Sequence, residues 1–243
     1  MEIIYEPKGK AKEYCNLAVN LYKGCNHGCK YCYAPSATFT KRKKFNNHQE
    51  PRKNIIEKLK KDAEKHPGNG QQVLLSFTSD PYQHLDQELQ LTRQAIKILK
   101  DNGYNMAILS KAGNNIRRDF DLLDNDDYIG ATLTFNNKED SLKWEPGAAL
   151  PEERIQVLKE THDKGINTWV SLEPVIFPEQ TLDLIDNTYE FVDMYKIGKL
   201  NYHQKAKEID WQAFANKAIG KMKKYNKNYY IKKDLRKYIT KPA

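Results

Sequence analysis

Short apolar runs alternate with longer segments of helical periodicity along most of the chain. The runs have the length and the β-branched and aromatic content of buried strands, whereas the longer segments begin at a proline or end near a glycine, as helices do. This pattern predicts six strands, at residues 17–22, 73–77, 105–109, 128–135, 167–172 and 191–197. It predicts helices between them, at residues 51–66, 87–101, 151–164 and 178–187.

Strands that alternate with helices are typical of parallel sheets, because each right-handed helical crossover covers one face of the sheet. Six such units are fewer than the eight of a closed barrel, so the pattern favours an α/β fold with a curved, partly open barrel. We expect a single domain over residues 1–243, since no linker or internal repeat divides the chain. The first strand lies before about residue 24, a loop follows at 25–35, and about 205–243 form a closing helix and a basic aromatic tail.

The charge balance suggests a type of partner. Lysine and arginine number 40 against 32 aspartate and glutamate residues, for a formal net charge of +8, and residues 41–44 form one dense basic block. A polyanion such as a nucleic acid fits this charge, although lysine also covers the solvated faces of ordinary helices. Because we find neither a bilayer-spanning apolar run nor a secretory signal, we expect a soluble, cytoplasmic protein without membrane contact.

Three of the four cysteines, Cys25, Cys29 and Cys32, lie within eight residues in a C-x3-C-x2-C spacing. Three thiolates this close together can bind three irons of a four-iron four-sulfur cluster and leave the fourth iron open. The alternative is a structural zinc site in which Cys15 or His27 supplies the fourth ligand. We favour the cluster, because zinc ligands usually come in two separated pairs, and we expect Cys15 to be a small buried residue.

The segment GCNHGCKYCYAP, residues 24–35, resembles the signature of the radical S-adenosylmethionine (SAM) superfamily and, over its full length, the spore photoproduct lyase branch. Similar blocks lie downstream, with SFTSDPYQ at 76–83, SK at 110–111 and SLEP at 171–174. The resemblance covers about residues 20–201. It implies a partial (β/α)6 barrel of parallel strands, a four-iron four-sulfur cluster on the three cysteines, and SAM as a second cofactor.

The same resemblance implies the chemistry. In the family, SAM chelates the open iron through its amino and carboxylate groups, and one electron from the cluster splits SAM to give a 5'-deoxyadenosyl radical. By resemblance, Ser79 and Asp80 are the candidates for contact with the methionine ammonium.

Further candidates lie at the carboxyl ends of predicted strands, where parallel α/β folds gather functional groups. Lys111 is placed to pair with the SAM carboxylate, since a lysine is an adequate partner for an anion. Thr132 or Thr134 is placed to reach the ribose, and Glu173 to face the cavity. Strand capping and turn formation are the structural alternatives for all of these positions.

Tyr31 and Tyr33 flank the last cysteine of the loop. In spore photoproduct lyases a tyrosine at the position of Tyr33 is implicated in passing the radical, so Tyr33 is a candidate catalytic hydrogen relay. The alternative is that both rings cover the cluster, which we favour for Tyr31. The lyases also use a hydrogen-donor cysteine immediately before the Thr-Ser-Asp block, and Phe77 occupies that position here. The repair of thymine dimers therefore does not carry over with the resemblance.

The resemblance, the basic block and a tail containing Tyr225, Tyr229 and Tyr230 favour a nucleic acid or nucleotide substrate, for repair or modification. A radical SAM enzyme that acts on a small metabolite or a protein is the first alternative. A non-enzymatic, metal-binding nucleic-acid module is the second. We expect a reductant of the flavodoxin or ferredoxin type as a partner, and we favour a monomer.

Overall fold

The computed structural model describes residues 2–239. The strands are β1 (Leu17–Val19), β2 (Tyr22–Lys23), β3 (Glu50–Pro51), β4 (Gln72–Leu75), β5 (Asn105–Ser110), β6 (Tyr128–Thr132), β7 (Asn167–Leu172), β8 (Met194–Ile197) and β9 (Asn228–Ile231). The helices are α1 (Ala34–Ala37), α2 (Arg42–Asn47), α3 (Ile55–Lys65), α4 (His84–Leu89), α5 (Leu91–Asp101), α6 (Lys138–Trp144), α7 (Pro151–Asp163), α8 (Pro178–Thr188), α9 (Trp211–Lys224) and α10 (Lys233–Arg236). Three 3-10 helices lie at Gly9–Glu13, Gly113–Leu122 and Gln204–Lys207. No helix in this part of the chain combines the length and the apolar content that crossing a bilayer requires.

Seven strands form one sheet in the order β1-β4-β5-β6-β7-β8-β9, and every neighbouring pair is parallel. A strand order that follows the sequence without a reversal is the order of a barrel, left open here between β1 and β9. The structure therefore confirms the α/β fold with a partial barrel of parallel strands. The short strands β2 and β3 form a separate antiparallel pair.

The sheet has seven strands rather than the predicted six. The additional strand, β9, belongs to the basic aromatic tail and pairs with β8, with Tyr229 opposite Tyr195 and Ile231 opposite Ile197. Its residues are only partly buried at the edge of the sheet, so they lack the continuous apolar run that marks the inner strands. The predicted closing helix is α9, whereas residues 240–243 of the tail lie outside the described part.

Some predicted elements are shorter or divided. The predicted helix 87–101 is interrupted at Gln90, which has a left-handed φ of +48°. The buried Asp86 carboxylate accepts the N–H of Thr92 at 3.0 Å, so this N–H does not continue a helix from α4 into α5. The predicted first strand likewise divides into β1 and β2, and β6 and β8 cover only part of their predicted ranges.

The N-terminal segment lies across the gap between the two edge strands. Tyr5 pairs with Ala18 of β1 in an antiparallel bridge, with N···O distances of 3.1 and 2.9 Å. On the other side of the gap, the Glu13 carboxylate accepts hydrogen bonds from the Tyr230 hydroxyl at 3.1 Å and from the Lys233 N–H at 2.7 Å. The segment therefore completes the wall of the barrel between β1 and β9.

Apolar side chains pack on both faces of the sheet. On the outer face they form two large clusters with the helices, one around β4 and β5 and one around β7 and β8. The inner face carries a smaller set, in which Ala18, Leu74 and Ala107 are register partners on neighbouring strands and Trp169 packs with them. The barrel interior is therefore partly filled by side chains, as in other small barrels.

The interior packing requires a glycine at position 130 in β6. A Cβ at Gly130 lies 2.3 Å from Nε1 of Trp169, whose N–H donates to the Ile108 carbonyl at 2.9 Å. We expect Gly130→Ala to lower the free energy of unfolding by about 1–3 kcal/mol, the usual range for an overpacked core. Denaturant unfolding followed by circular dichroism measures this change.

Gly220→Ala in α9 is the matched control, because a Cβ at Gly220 meets no atom within 4 Å. Alanine is better than glycine in a helix interior by about 1 kcal/mol. The control variant is therefore expected to be at least as stable as the unsubstituted protein. Unchanged stability of Gly130→Ala contradicts the close contact with Trp169.

Candidate active site

The three clustered cysteines lie on the loop between β2 and α1. This loop contacts residues that follow three different strands: Asp80 after β4, Lys111 after β5 and Thr134 after β6. The site is therefore at the carboxyl edge of the sheet, where parallel α/β folds place their functional groups. One of the cysteines is buried and the other two are half-buried.

Helix α2 holds the backbone of the cysteine loop. The Arg42 guanidinium donates to the carbonyl oxygens of Cys29 and Cys32, at 3.0 and 2.8 Å. The N–H of Cys25 donates to the carbonyl oxygen of Phe45 at 3.1 Å. The loop is thus attached to α2 at all three cysteines.

The segment that follows α6 holds the same loop at other points. The N–H of Lys30 donates to the Trp144 carbonyl, and the N–H of Gly147 donates to the His27 carbonyl, both at 2.9 Å. The imidazole Nδ1 of His27 lies 2.9 Å from the Gly147 carbonyl oxygen, so Nδ1 must carry a proton to make this bond. These contacts fix the orientation of His27.

Two glycines permit the close approach of these segments. Gly24 has a left-handed φ of +74°, and a Cβ there lies 2.3 Å from the backbone oxygen of His48. A Cβ at Gly147 lies 2.4 Å from the backbone oxygen of Asn26. A side chain at either position therefore moves the cysteine loop away from its supports.

Asp80 joins the cysteine loop to the sheet. Its carboxylate accepts hydrogen bonds from Ser110 Oγ at 2.7 Å, from the Lys111 N–H at 2.7 Å and from the Tyr82 N–H at 2.9 Å. Its Oδ2 also lies 3.0 Å from Nε2 of His27. Burial by itself raises the pKa of this carboxyl, but attraction to His27 and the hydrogen bonds lower it to about 2. Both oxygens of Asp80 are engaged and the group is ionised at neutral pH.

Two of the loop thiols are in surroundings that disfavour a bare thiolate. Burial, followed by repulsion from Asp80, raises the pKa of Cys25 to about 12. Burial raises the pKa of Cys29 to about 12, although the Lys111 ammonium acts in the opposite direction. A metal centre compensates for such burial, because its positive charge removes the thiol protons.

Cys15 lies away from the other cysteines. Its thiol donates to the Gln72 carbonyl at 3.1 Å, at the amino end of β4, and it packs in the barrel interior with Ala18. The structure therefore confirms Cys15 as a buried residue. The two residues considered as a fourth zinc ligand are engaged elsewhere, since Cys15 donates to the Gln72 carbonyl and His27 contacts Gly147 and Asp80.

A buried network of Tyr31, Glu145 and Arg154 supports the loop. The Tyr31 hydroxyl donates to Glu145, whose carboxylate also accepts from Nη2 of Arg154 at 2.6 Å. Arg154 is 2% exposed and donates to two further backbone carbonyls, at 2.9 and 2.8 Å. Burial raises the pKa of Glu145, but Arg154 and Lys111 bring it below its usual value. The Tyr31 ring packs against the outer core, whereas the bond of its hydroxyl to a buried carboxylate was not expected from the sequence.

The predicted SAM ligands have different surroundings. The Lys111 ammonium lies 5.7 Å from the centre of the Tyr31 ring and makes no hydrogen bond or ion pair within residues 2–239. The Ser79 hydroxyl makes only a 3.4 Å contact, with Ser76 Oγ. Thr134 is buried, and its Oγ lies 3.3 Å from the Tyr31 hydroxyl. Lys111 is therefore the candidate whose charge has no direct ion pair, although it is near enough to Glu145 to lower the pKa of that carboxyl.

Tyr33 lies against Phe77, the residue that stands where the lyases carry a cysteine. The Tyr33 hydroxyl donates to the Phe77 carbonyl at 2.9 Å, and 56% of Tyr33 is exposed. The side-chain oxygen of Asn20 accepts the N–H groups of Phe77 and Thr78, both at 2.9 Å. Tyr33 is thus directed at a well-fixed turn after β4.

Glu173 belongs to a second polar group, in the barrel interior. Its carboxylate accepts from the Tyr14 hydroxyl at 2.8 Å and pairs with the Lys232 ammonium. The Tyr14 hydroxyl also lies 2.9 Å from Ser171 Oγ. Within the described part of the chain, the hydrogen bonds and ion pairs of Glu173 are all to this group. Glu173 therefore makes no hydrogen bond or ion pair with the cysteine loop within these residues, although its charge adds to burial in raising the pKa of Tyr33.

Sequence reasoning missed three residues that hold the loop, namely Arg42, Glu145 and Arg154. Arg154 gave a detectable signal, because it lies on the buried stripe of α7 with Val157 and Leu158, where a charge needs a partner. Arg42 was hidden in the basic block. Glu145 lies in a connection whose position relative to the cysteines no periodicity reveals.

The parallel barrel and its three-cysteine loop define a class of α/β enzymes whose site lies at the strand ends. The sequence model of the Radical SAM superfamily matches residues 19–192, more than half of the chain, and the chain belongs to this superfamily of enzymes. Membership implies SAM and an iron–sulfur cluster as cofactors, and a reductant as a partner.

The curated relatives are themselves uncharacterized. MJ0683 of Methanocaldococcus jannaschii is 31% identical over 173 residues, which are 70% of this chain and 62% of that protein. A protein of Mycobacterium bovis is 25% identical over 167 residues, 65% of this chain and 49% of its own length. ORF301 of Acidianus two-tailed virus is 26% identical over 200 residues, 77% of this chain and 65% of its own. The matched part of the chain thus spans about half to two thirds of these relatives.

Solved structures share the fold at low identity. A spore photoproduct lyase superposes with a TM-score of 0.70 at 12% identity, covering 95% of this chain and 79% of the lyase. A structure of a lyase variant with the same agreement holds AdoMet and dinucleoside spore photoproduct. SuiB of Streptococcus suis, bound to S-adenosylmethionine, superposes with a TM-score of 0.66 at 13% identity, covering 88% of this chain and 49% of SuiB. These likenesses establish the fold.

The contacts of Asp80 predict unequal effects at two neighbouring candidate positions. Asp80→Ala leaves His27 and three buried donors without their acceptor, so we expect it to lower the free energy of unfolding by about 2–4 kcal/mol. Ser79→Ala removes a long contact and is expected to change the free energy of unfolding by less than about 0.5 kcal/mol. Denaturant unfolding of the iron-free protein measures both. Equal stability of the two variants means that Asp80 does not join the loop to the sheet.

Proposed function

We propose that this chain binds a four-iron four-sulfur cluster through Cys25, Cys29 and Cys32 and uses SAM to start radical chemistry on a substrate. The observation that carries the proposal is the three-cysteine loop held at the carboxyl edge of the sheet, with Cys15 at the amino end of β4. When bound, the cluster supplies one electron that splits SAM into methionine and a 5'-deoxyadenosyl radical, and this radical takes a hydrogen atom from the substrate.

The loop suits a cluster in charge and in geometry. The burial of Cys25 and Cys29 leaves their thiolates in need of positive charge, which the irons provide. Backbone hydrogen bonds from His27 and Asp80 act on Cys25 and favour its ionised form. Because each cysteine of such a cluster binds a different iron, the three side chains need not converge on one point, in agreement with the arrangement of residues 2–239.

Lys111 is the residue that we assign to the SAM carboxylate. Its ammonium forms no direct ion pair in the described chain, and its charge acts to lower the pKa of Cys29 and of Glu145. The Ser79 hydroxyl makes a long contact, so its oxygen can accept a hydrogen bond from the SAM ammonium. The negative charge of Asp80 also attracts this ammonium, while the Asp80 oxygens hold the loop. Thr134 stays our candidate for the ribose, and Glu173 for the wall of the cavity.

Tyr33 is the residue that we assign to hydrogen relay. Its hydroxyl is at the turn after β4, and more than half of the residue is exposed, so a substrate can reach it. A phenol O–H can give up a hydrogen atom, whereas the Phe77 ring beside it has no comparable bond. The relay role therefore falls to Tyr33 and not to position 77.

The tail tyrosines do not form the base-stacking surface expected from the sequence. Tyr225 stacks on Tyr189, with ring centroids 4.0 Å apart, and Tyr229 packs against the outer core. Tyr230 donates its hydroxyl to Glu13. These rings serve the fold, so a nucleic acid needs a different surface.

The loop after β8 offers such a surface at the same edge of the sheet as the cysteines. Tyr202 is 95% exposed, and the Lys10 ammonium lies 5.2 Å from the centre of its ring. Lys199, Lys205 and Lys207 lie on the same loop. The exposed Tyr202 ring can stack a base. The lysines of this loop, of which Lys199 lies over the Trp211 ring and Lys205 over the Phe177 ring, can bind phosphates, so we favour a nucleic acid or nucleotide substrate. The lyase neighbour that holds a dinucleoside spore photoproduct supports this choice.

A peptide or protein is the second candidate substrate. The structural neighbour SuiB has been solved bound to its precursor peptide SuiA, so a protein that shares this fold binds a peptide. The two candidates share the cluster and SAM and differ only in what reaches the radical.

Anaerobic reconstitution with iron and sulfide, followed by SAM and dithionite, tests the cluster chemistry. We expect about four irons per chain and formation of 5'-deoxyadenosine. Cys25→Ala, Cys29→Ala and Cys32→Ala are each expected to lose both, because each removes a ligand. Cys15→Ala is the matched control and is expected to keep both, since Cys15 lies in the barrel interior. A single metal ion per chain and no 5'-deoxyadenosine from the unsubstituted protein contradict the proposal.

Binding of single-stranded oligonucleotides to the reconstituted protein tests the substrate class. We expect the affinity to fall as salt rises, and Tyr202→Ala to weaken it by about 1–3 kcal/mol, the range for one stacked base. Leu89→Ala is the control, because Leu89 is an exposed apolar side chain on α4 and not on the loop after β8. Fluorescence anisotropy at several salt concentrations measures both effects. Salt-independent affinity, or equal losses in the two variants, is evidence against this site.

A further inference from the structure

The basic block carries charge that no acidic residue compensates. Lys41, Lys43 and Lys44 are exposed, and their side chains make no hydrogen bond or ion pair within residues 2–239. Lys61 on α3 and Lys217 and Lys221 on α9, by contrast, pair with nearby acidic side chains. The three ammonium groups are therefore a concentrated positive charge that faces solvent.

An exposed aromatic ring lies next to these lysines. Phe39 is 98% exposed and has a left-handed φ of +52°, and its N–H donates to the Ser36 carbonyl at 3.2 Å. Protein interfaces commonly combine an aromatic anchor with a charged rim. We call Phe39, Lys41, Lys43 and Lys44 together the α2 surface.

The α2 surface is attached to the cysteine loop. Arg42, between two of its lysines, uses its guanidinium to bind the carbonyl oxygens of Cys29 and Cys32. The Phe45 carbonyl accepts the N–H of Cys25. A protein that rests on the α2 surface is therefore separated from the cysteine backbone by little more than one arginine side chain.

The residues of α2 and those of the sheet edge contact the loop in different ways. At the sheet edge, the Asp80 carboxylate lies 3.0 Å from His27 of the loop, and the Lys111 ammonium lies 5.7 Å from the centre of the Tyr31 ring. Helix α2 instead forms hydrogen bonds with the loop backbone. The residues assigned to SAM are all at the sheet edge, so α2 is available to a partner that must approach the cluster but not SAM.

We propose that the α2 surface docks an acidic protein that donates one electron, of the flavodoxin or ferredoxin type, and that the electron enters the cluster from this side. The inference rests on the proposed function, in which each cleavage of SAM consumes one electron. The reduced donor loses that electron and the cluster gains it. Positive charge steers an acidic donor to the surface. Electron-transfer complexes use small interfaces, below about 1,200 Å², which a surface of a few side chains can supply.

A nucleic acid is the competing occupant of the α2 surface, because lysines bind phosphates and a base can stack on Phe39. A strand bound there lies against the backbone of the cysteine loop. The radical, however, forms from SAM among the residues of the sheet edge. The electron donor is favoured because it needs proximity to the cluster alone.

Two reductants separate docking from the chemistry. Reconstituted protein is given SAM with either reduced flavodoxin or dithionite, and the rate of 5'-deoxyadenosine formation is measured. In the triple variant Lys41→Ala, Lys43→Ala, Lys44→Ala, we expect the rate at subsaturating flavodoxin to fall about tenfold or more and its salt dependence to weaken. The rate with dithionite is expected to stay within about twofold, because a small reductant needs no docking surface.

The triple variant Lys97→Ala, Lys159→Ala, Lys223→Ala is the matched control. It removes the same charge from exposed lysines of α5, α7 and α9, and these side chains form no hydrogen bond or ion pair within the described residues. Both rates are expected to stay unchanged in it. Binding of oxidised flavodoxin to the reconstituted proteins, measured by calorimetry, gives a second readout that does not depend on SAM cleavage, and Phe39→Ala is expected to weaken this binding.

Several results overturn the docking assignment. An unchanged flavodoxin-driven rate in the α2 triple variant overturns it. If that variant also binds oligonucleotides more weakly than the unsubstituted protein, the surface belongs to a nucleic acid. An equal fall of both rates also overturns it, because the lysines then act on the cluster itself. If the unsubstituted protein forms no 5'-deoxyadenosine with dithionite, the proposed function fails on its own. Flavodoxin affinity then decides docking, since a loss in the α2 variant supports it and equal affinity overturns it.

Discussion

The geometry of the site depends on the buried carboxylate of Asp80. A buried charge is unfavourable unless donors surround it, and here the donors come from the turn after β4, from the end of β5 and from His27 of the cysteine loop. If the loop moves away from the sheet, the Asp80 carboxylate loses His27 and His27 loses its buried partner, which costs more than the loss of an ordinary surface contact. The cysteines are therefore held in place before any cofactor arrives, as a preorganised site requires.

Seven strands in sequential order leave a gap in the barrel wall between β1 and β9. The N-terminal segment fills it, and the polar groups that it brings inward find partners on the far strands. The Lys196 ammonium on β8 donates to the Tyr14 carbonyl at 2.5 Å, and burial lowers the pKa of Lys196 to about 8. The Tyr14 hydroxyl in turn binds Glu173. Closure of the barrel thus also creates the polar group in its interior.

Local patterns in the sequence predicted the strands with continuous apolar runs and the cysteine loop, whose spacing is a property of adjacent residues. The sequence did not predict β9, because an edge strand needs no such run, nor the break at Gln90, which depends on the Asp86 side chain. It also did not predict the pairing of His27 with Asp80 or of Tyr31 with Glu145. These partners lie on different loops, and only the folded sheet brings them together. The tail tyrosines were expected to bind bases. An aromatic, basic composition fits a strand and a stacked pair of rings as well as a binding surface, and the structure contains the strand and the pair.

Phe77 lies between the cysteine-loop site and the interior polar group. Because its side chain has no hydrogen atom to donate readily, it limits which groups can return a hydrogen atom to a substrate radical. Its carbonyl binds the Tyr33 hydroxyl, and its ring meets the Tyr14 ring edge-on, with centroids 6.1 Å apart. Of the two phenols beside it, Tyr14 is hydrogen-bonded to Ser171 and Glu173. Burial and Glu173 raise the pKa of Tyr14 well above its usual value. Tyr33 binds only a backbone carbonyl and is open to solvent. Under the proposed relay, Tyr33 is therefore the phenol beside Phe77 that is placed to return a hydrogen atom to a substrate radical.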